Sequence, residues 1–98
     1  MYQGIAITHP EHGIFVGHAL GLAFWSNQET AGQTMVALFE NVEQAKDFVL
    51  LFKEDTGFAG YGFPEVESED EFGATVDELI AAGLEEHLGL LKPAGMVM

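Results

Sequence analysis

The stretch Gly13 to Trp25, GIFVGHALGLAFW, carries the sharpest pattern of large and small positions in the chain. In an extended strand, successive side chains point to opposite faces. Even positions then present Ile14, Val16, His18, Leu20, Leu22 and Phe24. Odd positions present Phe15, Gly17, Ala19, Gly21, Ala23 and Trp25. The even face is bulky and apolar except at His18, which suits a core wall. The odd face is nearly bare backbone between two aromatic ends, so another backbone, a helix or a ligand can approach it closely. A single strand of this length is unusual, and a bulge or bend is expected at Gly17 or Gly21.

The same period of two marks Tyr2 to His9 as a first strand, with Ile5 and Ile7 on one face. Pro10-Glu11-His12-Gly13 reads as a turn, because Pro presets φ at the first corner and Gly accepts positive φ at the last. A hairpin into the patterned stretch follows. After the polar segment Ser26 to Gln33, Thr34 to Phe39 reads as a third strand. Asn41 is then a helix N-cap, with Gln44 at capping-box spacing. Val42, Ala45, Phe48, Val49 and Phe52 form the apolar stripe of that helix, which ends near Asp55 to Gly57. Gly57 to Phe63 reads as a short fourth strand, and Pro64 makes it an edge strand or ends it. Glu65 to Glu71 reads as an acidic loop. A second helix is predicted from about Thr75 to Leu88, opened by a Thr75/Glu78 capping box and striped by Val76, Leu79, Ile80, Gly83, Leu84 and Leu88. The order β-β-β-α-β-α predicts one α+β domain over residues 1–98. Its expected form is a small antiparallel sheet of three to four strands, with two helices packed on one face.

Composition narrows the function. Sixteen Asp and Glu stand against three Lys and no Arg, a formal net charge of −13. Such a chain repels nucleic acid and anionic membrane and attracts basic partners. Direct nucleic-acid binding needs clustered Lys and Arg, so it is not expected. With 48% hydrophobic residues, eight of the chain's residues being Phe, this is not a disordered acidic tail. No Cys is present, which removes disulfides, thiolate catalysis and Cys-type zinc sites. Met1 to His9 lacks the features of a signal peptide, and the longest apolar run falls short of the roughly 20 residues a membrane span needs. A soluble, cytoplasmic protein is expected.

The candidate chemistry is thin. His9, His12 and His18 gather around the predicted hairpin, but their spacing matches no metal-ligand motif, and no metal or cofactor is expected. His18, as the polar break in the core wall, is the candidate pocket residue. An EF-hand register that places Gly73 at its glycine puts Leu79 where Glu is required, so the acidic loop is no calcium loop. GFAGYGF is neither GxGxxG nor a P-loop. Ser26 and Ser68 lie in no nucleophile elbow, and the absence of Arg removes the usual anion clamp. No catalytic residues are assigned, and an enzyme is not expected.

Charge distribution is the more informative feature. From Glu54 to Leu91 there are 11 acidic residues and no Lys or Arg. A folded domain with one strongly negative side can occupy a basic groove much as a nucleic-acid duplex does. Glu65, Glu67, Glu69, Asp70, Glu71, Asp77 and Glu78 are the candidate partner-binding residues, and a basic protein is the expected partner. The alternative is a homo-oligomer or small-ligand-binding accessory protein. It would use the small face at Gly17, Ala19 and Gly21, flanked by Trp25 and Tyr61.

The segment LGLAFWSNQETAGQ running into MVALFENVEQAKDF resembles a pattern in small uncharacterised proteins of bacteria and their phages. There a Gly-Phe-Trp-Ser-like strand end precedes an Ala-Gly-Gln loop, a strand and a short helix with an acidic start. Gly21, Phe24, Trp25, Ser26, Ala31, Gly32, Gln33, Phe39, Ala45 and Phe48 carry the likeness, which covers about a third of the chain and departs at Ala23. The resemblance implies an accessory gene of mobile elements and brings no activity. Small acidic phage-borne proteins include inhibitors of host defence such as anti-CRISPR proteins, an analogy of class and not of motif.

Overall fold

Residues 2–9 form the strand around which the rest assembles. The computed structural model describes residues 1–19, 22–28, 30, 35–52 and 60–91, with only the backbone at 19, 22 and 52. β1 (Tyr2–Ile5) lies antiparallel to β6 (Glu65–Ser68), with Tyr2 opposite Ser68 and Ile5 opposite Glu65. The same register continues through β2 (Thr8–His9). There Ala6 N–H donates to Pro64 O at 3.0 Å, and Thr8 and Gly62 exchange backbone bonds at 2.9 Å. Pro64 has no N–H to return, so the ladder loses one bond between β1 and β2. On the opposite edge, Ile5 and Phe39 exchange bonds at 2.8 Å, and Phe15 N–H donates to Ile7 O at 2.8 Å. The first strand is therefore central.

The Pro10–His12 turn forms as expected. Gly13 closes it at φ +89°, opposite His9. The patterned stretch departs from expectation. It is a hairpin of two antiparallel strands, β3 (Gly13–Ala19) and β4 (Leu22–Trp25), with Ala19 opposite Leu22. Leu20 and Gly21 lie outside the described residues. The expected bulge is present, because the register shifts between Phe15 and Gly17. It leaves Val16 as an extra residue and reverses the alternation beyond it. Phe15 pairs with Trp25, yet His18 pairs with Ala23, two residues from Trp25 on the same face of β4. His18 thus leaves the Ile14/Val16 wall and joins the face of Phe15, where it is exposed.

β5 (Met35–Ala37) pairs antiparallel with β7 (Gly73–Thr75), and Leu38 N–H extends the ladder to Phe72 O at 3.0 Å. α1 (Val42–Phe52) starts as predicted, with Asn41 Oδ1 accepting from Gln44 N–H at 2.9 Å. Its predicted end at Asp55 to Gly57 lies outside the described residues, as does the Gly57–Ala59 part of the fourth strand. The predicted acidic loop begins instead as β6, where Glu65 and Glu67 face out and Val66 and Ser68 are buried. α2 (Val76–Ala81) is shorter than predicted. Gly83 at φ +82° ends it, with Gly83 N–H bonding Ile80 O and Leu84 N–H bonding Leu79 O, each at 3.0 Å. This pair of bonds is a Schellman cap, with Leu84 turned back onto Leu79 in the core. A single 3₁₀ turn (Glu85–His87) follows.

The α+β class holds, and alternation along β1 to β3 divides the interior in two. Ala6, Ile14 and Val16 pack with Val36, Val66, Leu79 and Leu84. Ile5, Ile7 and Phe15 pack with Ala45 and Val49, flanked by Phe39 and Phe48. The helices therefore sit in separate clusters, α2 in the first and α1 in the second, and do not share one face. α1 packs on the face of Phe15, Ala23 and Trp25, while Gly17 turns to the opposite face. Each fully buried Ile, Leu or Phe stabilises the fold by about 1.5–3 kcal/mol.

Candidate functional site

Five of the seven acidic candidates, Glu65, Glu67, Glu69, Asp70 and Glu78, fall on one connected edge made of β6, the turn after it and the start of α2. Alternation along β6 turns Glu65 and Glu67 outward. In the turn, the buried Ser68 hydroxyl donates to Asp70 O, and Asp70 Oδ1 accepts from Phe72 N–H at 2.8 Å. The Glu78 carboxylate holds the two elements together. Its Oε1 accepts from Thr75 N–H at 3.0 Å, and its Oε2 accepts from Glu69 N–H at 2.7 Å. Thr75 Oγ1 accepts from Glu78 N–H at 3.2 Å, which completes the predicted capping box.

Two kinds of acid emerge. Asp70 and Glu78 spend oxygens on backbone N–H groups and shape the edge. Glu65, Glu67, Glu69, Glu71 and Asp77 are exposed. Glu65, Glu67 and Glu78 border a shallow cleft of about 290 Å³ with Ala81 and Ala82. Glu69, Asp70 and Glu78 border a second of about 470 Å³ with Met35 and Thr75. Glu78 is common to both, so these carboxylates adjoin in space. Asp77 stands apart on the outer side of α2, and Glu71 borders a different groove, lined by Tyr2 and Phe72. The arrangement leaves these carboxylates on an open, solvent-facing edge.

The small-face candidates are divided by the bulge. Gly17 pairs with Phe24, on the face away from Trp25. Ala19 is described in its backbone only, and Gly21 lies outside the described residues. Trp25 and Tyr61 do come together, with ring centroids 6.2 Å apart. Around them gather two histidines, His9 and His12, that the sequence places around the predicted hairpin without a ligand role. His9 and His12 stack at 4.3 Å, His9 meets Tyr61 edge-on at 4.7 Å, and His12 lies 5.4 Å from Trp25. Glu11 N–H donates to His9 Nδ1 at 3.1 Å, and Gln28 Nε2 lies 2.7 Å from His12 Nδ1. The hairpin turn brings His12 beside Trp25, a signal legible only once the stretch is folded back on itself. His18 lies exposed with its ring 5.4 Å from Phe48, since the register shift carries it from the core wall to the α1 side.

Ser26 and Ser68 are both fully buried and bonded to backbone, which removes them as nucleophiles. Among the described residues, no group of three or more His, Asp or Glu is placed to hold a metal ion. No helix there is long and apolar enough to cross a membrane. Compared with known proteins, the chain matches no family model, no curated protein and no solved structure.

Proposed function

We propose that this chain is a non-enzymatic interaction domain whose acidic edge docks on a basic surface of a partner protein. The surface in question is of the kind that otherwise holds nucleic acid. The observation that carries the reading is the adjoining set Glu65, Glu67, Glu69 and Glu78, in a stretch from Glu54 to Leu91 with no Lys or Arg. The backbone that carries these carboxylates, on a strand, a bonded turn and a helix start, is ordered before binding, so docking costs side-chain but little backbone ordering entropy. Association driven by such a surface is fast and weakens with salt. A mobile-element inhibitor of a nucleic-acid-binding host protein is the most specific form of this reading.

The test is retention of basic proteins on the immobilised chain at low salt, followed by elution at high salt. Replacing Glu65, Glu67, Glu69 and Glu71 together by Lys removes retention and leaves the fold intact, because their carboxylates bond no described backbone group. Retention unchanged by that replacement overturns the reading. A second reading, small-ligand binding, is favoured by the half-buried cluster of His9, His12, Trp25 and Tyr61. Trp25 is the chain's one tryptophan, so a ligand seated there changes its fluorescence directly.

A further inference from the structure

Between β1 and the end of β5 lies a groove of about 400 Å³ that is apolar within and acidic at its rim. Tyr2, Leu38, Phe39 and Phe72 supply apolar wall, and Glu40 and Glu71 supply carboxylates. Phe72 is the unusual member. The residue is 72% exposed, yet its backbone is fixed on both sides, N–H to Asp70 Oδ1 and C=O to Leu38 N–H. Tyr2 is 51% exposed. Two aromatic rings held open to water beside two carboxylates form a surface that attracts a cation flanked by apolar groups. No Lys, Arg or His lines the groove.

The backbone adds a direction. Ile5 turns both its N–H and its C=O towards Phe39. Gln3, two residues earlier, points its pair the same way, where the chain at Glu40 has already left the ladder for α1. No described residue pairs with Gln3 on that side. One donor and one acceptor are therefore presented at the groove, the minimum that adds an extended segment to a sheet edge.

We propose that this groove receives an extended, basic segment of the partner protein. The segment pairs its backbone with Gln3 and lays an arginine or lysine side chain against Phe72, between the carboxylates of Glu40 and Glu71. The proposal rests on the reading of a basic partner and narrows it to one recognition element. Charge complementarity selects this occupant over a second copy of the chain, which carries the same acidic rim and a net charge of −13. Phe72 acts as the anchor, and the rim acids supply sign selectivity.

The test is a titration of the ¹⁵N-labelled chain, at low salt, with a short blocked peptide of alternating arginine and valine. A glutamate-valine peptide serves as the control. Saturable shifts are expected at the amides of Gln3, Leu38 and Phe72 with the basic peptide only. Phe72→Ala, whose ring lies outside the core, weakens binding about five- to thirty-fold. The pair Glu40→Gln and Glu71→Gln weakens it about three- to ten-fold, and the pair Glu85→Gln and Glu86→Gln, exposed and away from the groove, less than about two-fold. Binding that shifts β6 and α2 instead, and weakens equally for both acid pairs, overturns the groove while leaving the broader acidic-surface reading in place. No binding of the basic peptide at low salt overturns both.

Discussion

Ser26 shows how one short side chain joins distant parts of this chain. It is fully buried, its Oγ accepts from Ile14 N–H at 2.9 Å, and its hydroxyl donates to His87 O. Its own C=O accepts from Leu90 N–H at 2.6 Å. One residue at the end of β4 therefore closes the hairpin and ties down the segment after α2. Gly13 and Gly89 are packed so closely on Ser26 and Asn27 that a Cβ at either would collide with them, and both carry positive φ. Replacing Ser26 by Ala leaves a buried N–H and a carbonyl without partners. It is expected to cost about 2–4 kcal/mol, since each unmade buried bond costs about 1–3 kcal/mol. Urea unfolding measures this directly, and a loss under about 0.5 kcal/mol, the range of an ordinary surface change, contradicts the role. The sequence marks Ser26 as the start of a polar segment and a serine outside any catalytic motif, with no sign of its burial. Its bonding is set by contacts 12 and 61 residues away, which no local pattern encodes.

At the scale of elements, legibility followed the range of the forces involved. Both helix starts were readable, because a cap is a bond between residues three apart: Asn41 with Gln44 and Thr75 with Glu78. Where α2 stops was misread, because Gly83 fits an apolar stripe as well as it fits a Schellman cap, and only positive φ separates the two. β6 was hidden by its charge. Glu-Val-Glu-Ser alternates as a half-buried strand should, but so short and acidic a run reads equally as a solvated loop. The glycines point to a bulge or bend at Gly17 or Gly21, and the register shifts just before Gly17, but its effect, the transfer of His18 to the other face, depends on pairing that the glycines alone do not specify. The acidic residues of the candidate site were all visible in the sequence, whereas the division of labour among them was not. That division is measurable. Glu78→Ala removes an acceptor shared by Thr75 and Glu69 and is expected to cost about 1–2 kcal/mol, as loss of a cap does. Neighbouring Asp77→Ala is expected to stay within about 0.5 kcal/mol, as exposed positions do. Equal effects in chemical denaturation would contradict a bonding role for Glu78.

Across the whole molecule, charge is held against compactness. The Cα radius of gyration is 12.5 Å, matching the roughly 12.6 Å that compact chains of this length adopt. Sixteen acids less three lysines leave thirteen uncompensated charges within extents of 40 × 27 × 24 Å. Near 0.01 M salt the screening length is about 30 Å, longer than two of those dimensions, so every carboxylate feels most of the others. At 0.15 M it falls to about 8 Å, and only near neighbours, those along the β6–α2 edge among them, still interact. Two such acids about 10 Å apart repel by about 0.4 kcal/mol in unscreened water, and several neighbours sum to on the order of 1–2 kcal/mol. The unfolded chain spreads the same charges further apart, so repulsion penalises the folded form more. Stability is therefore expected to rise with sodium chloride, steeply below about 0.15 M and little above it. The same salt is expected to weaken capture of a basic partner. Urea midpoints and partner retention, measured over one salt series, should move in opposite directions. A midpoint that stays flat, or falls as salt is added, would mean that the acidic edge is not strained by its own field. Its carboxylates would then hold too little electrostatic free energy in the free protein for a basic partner to relieve.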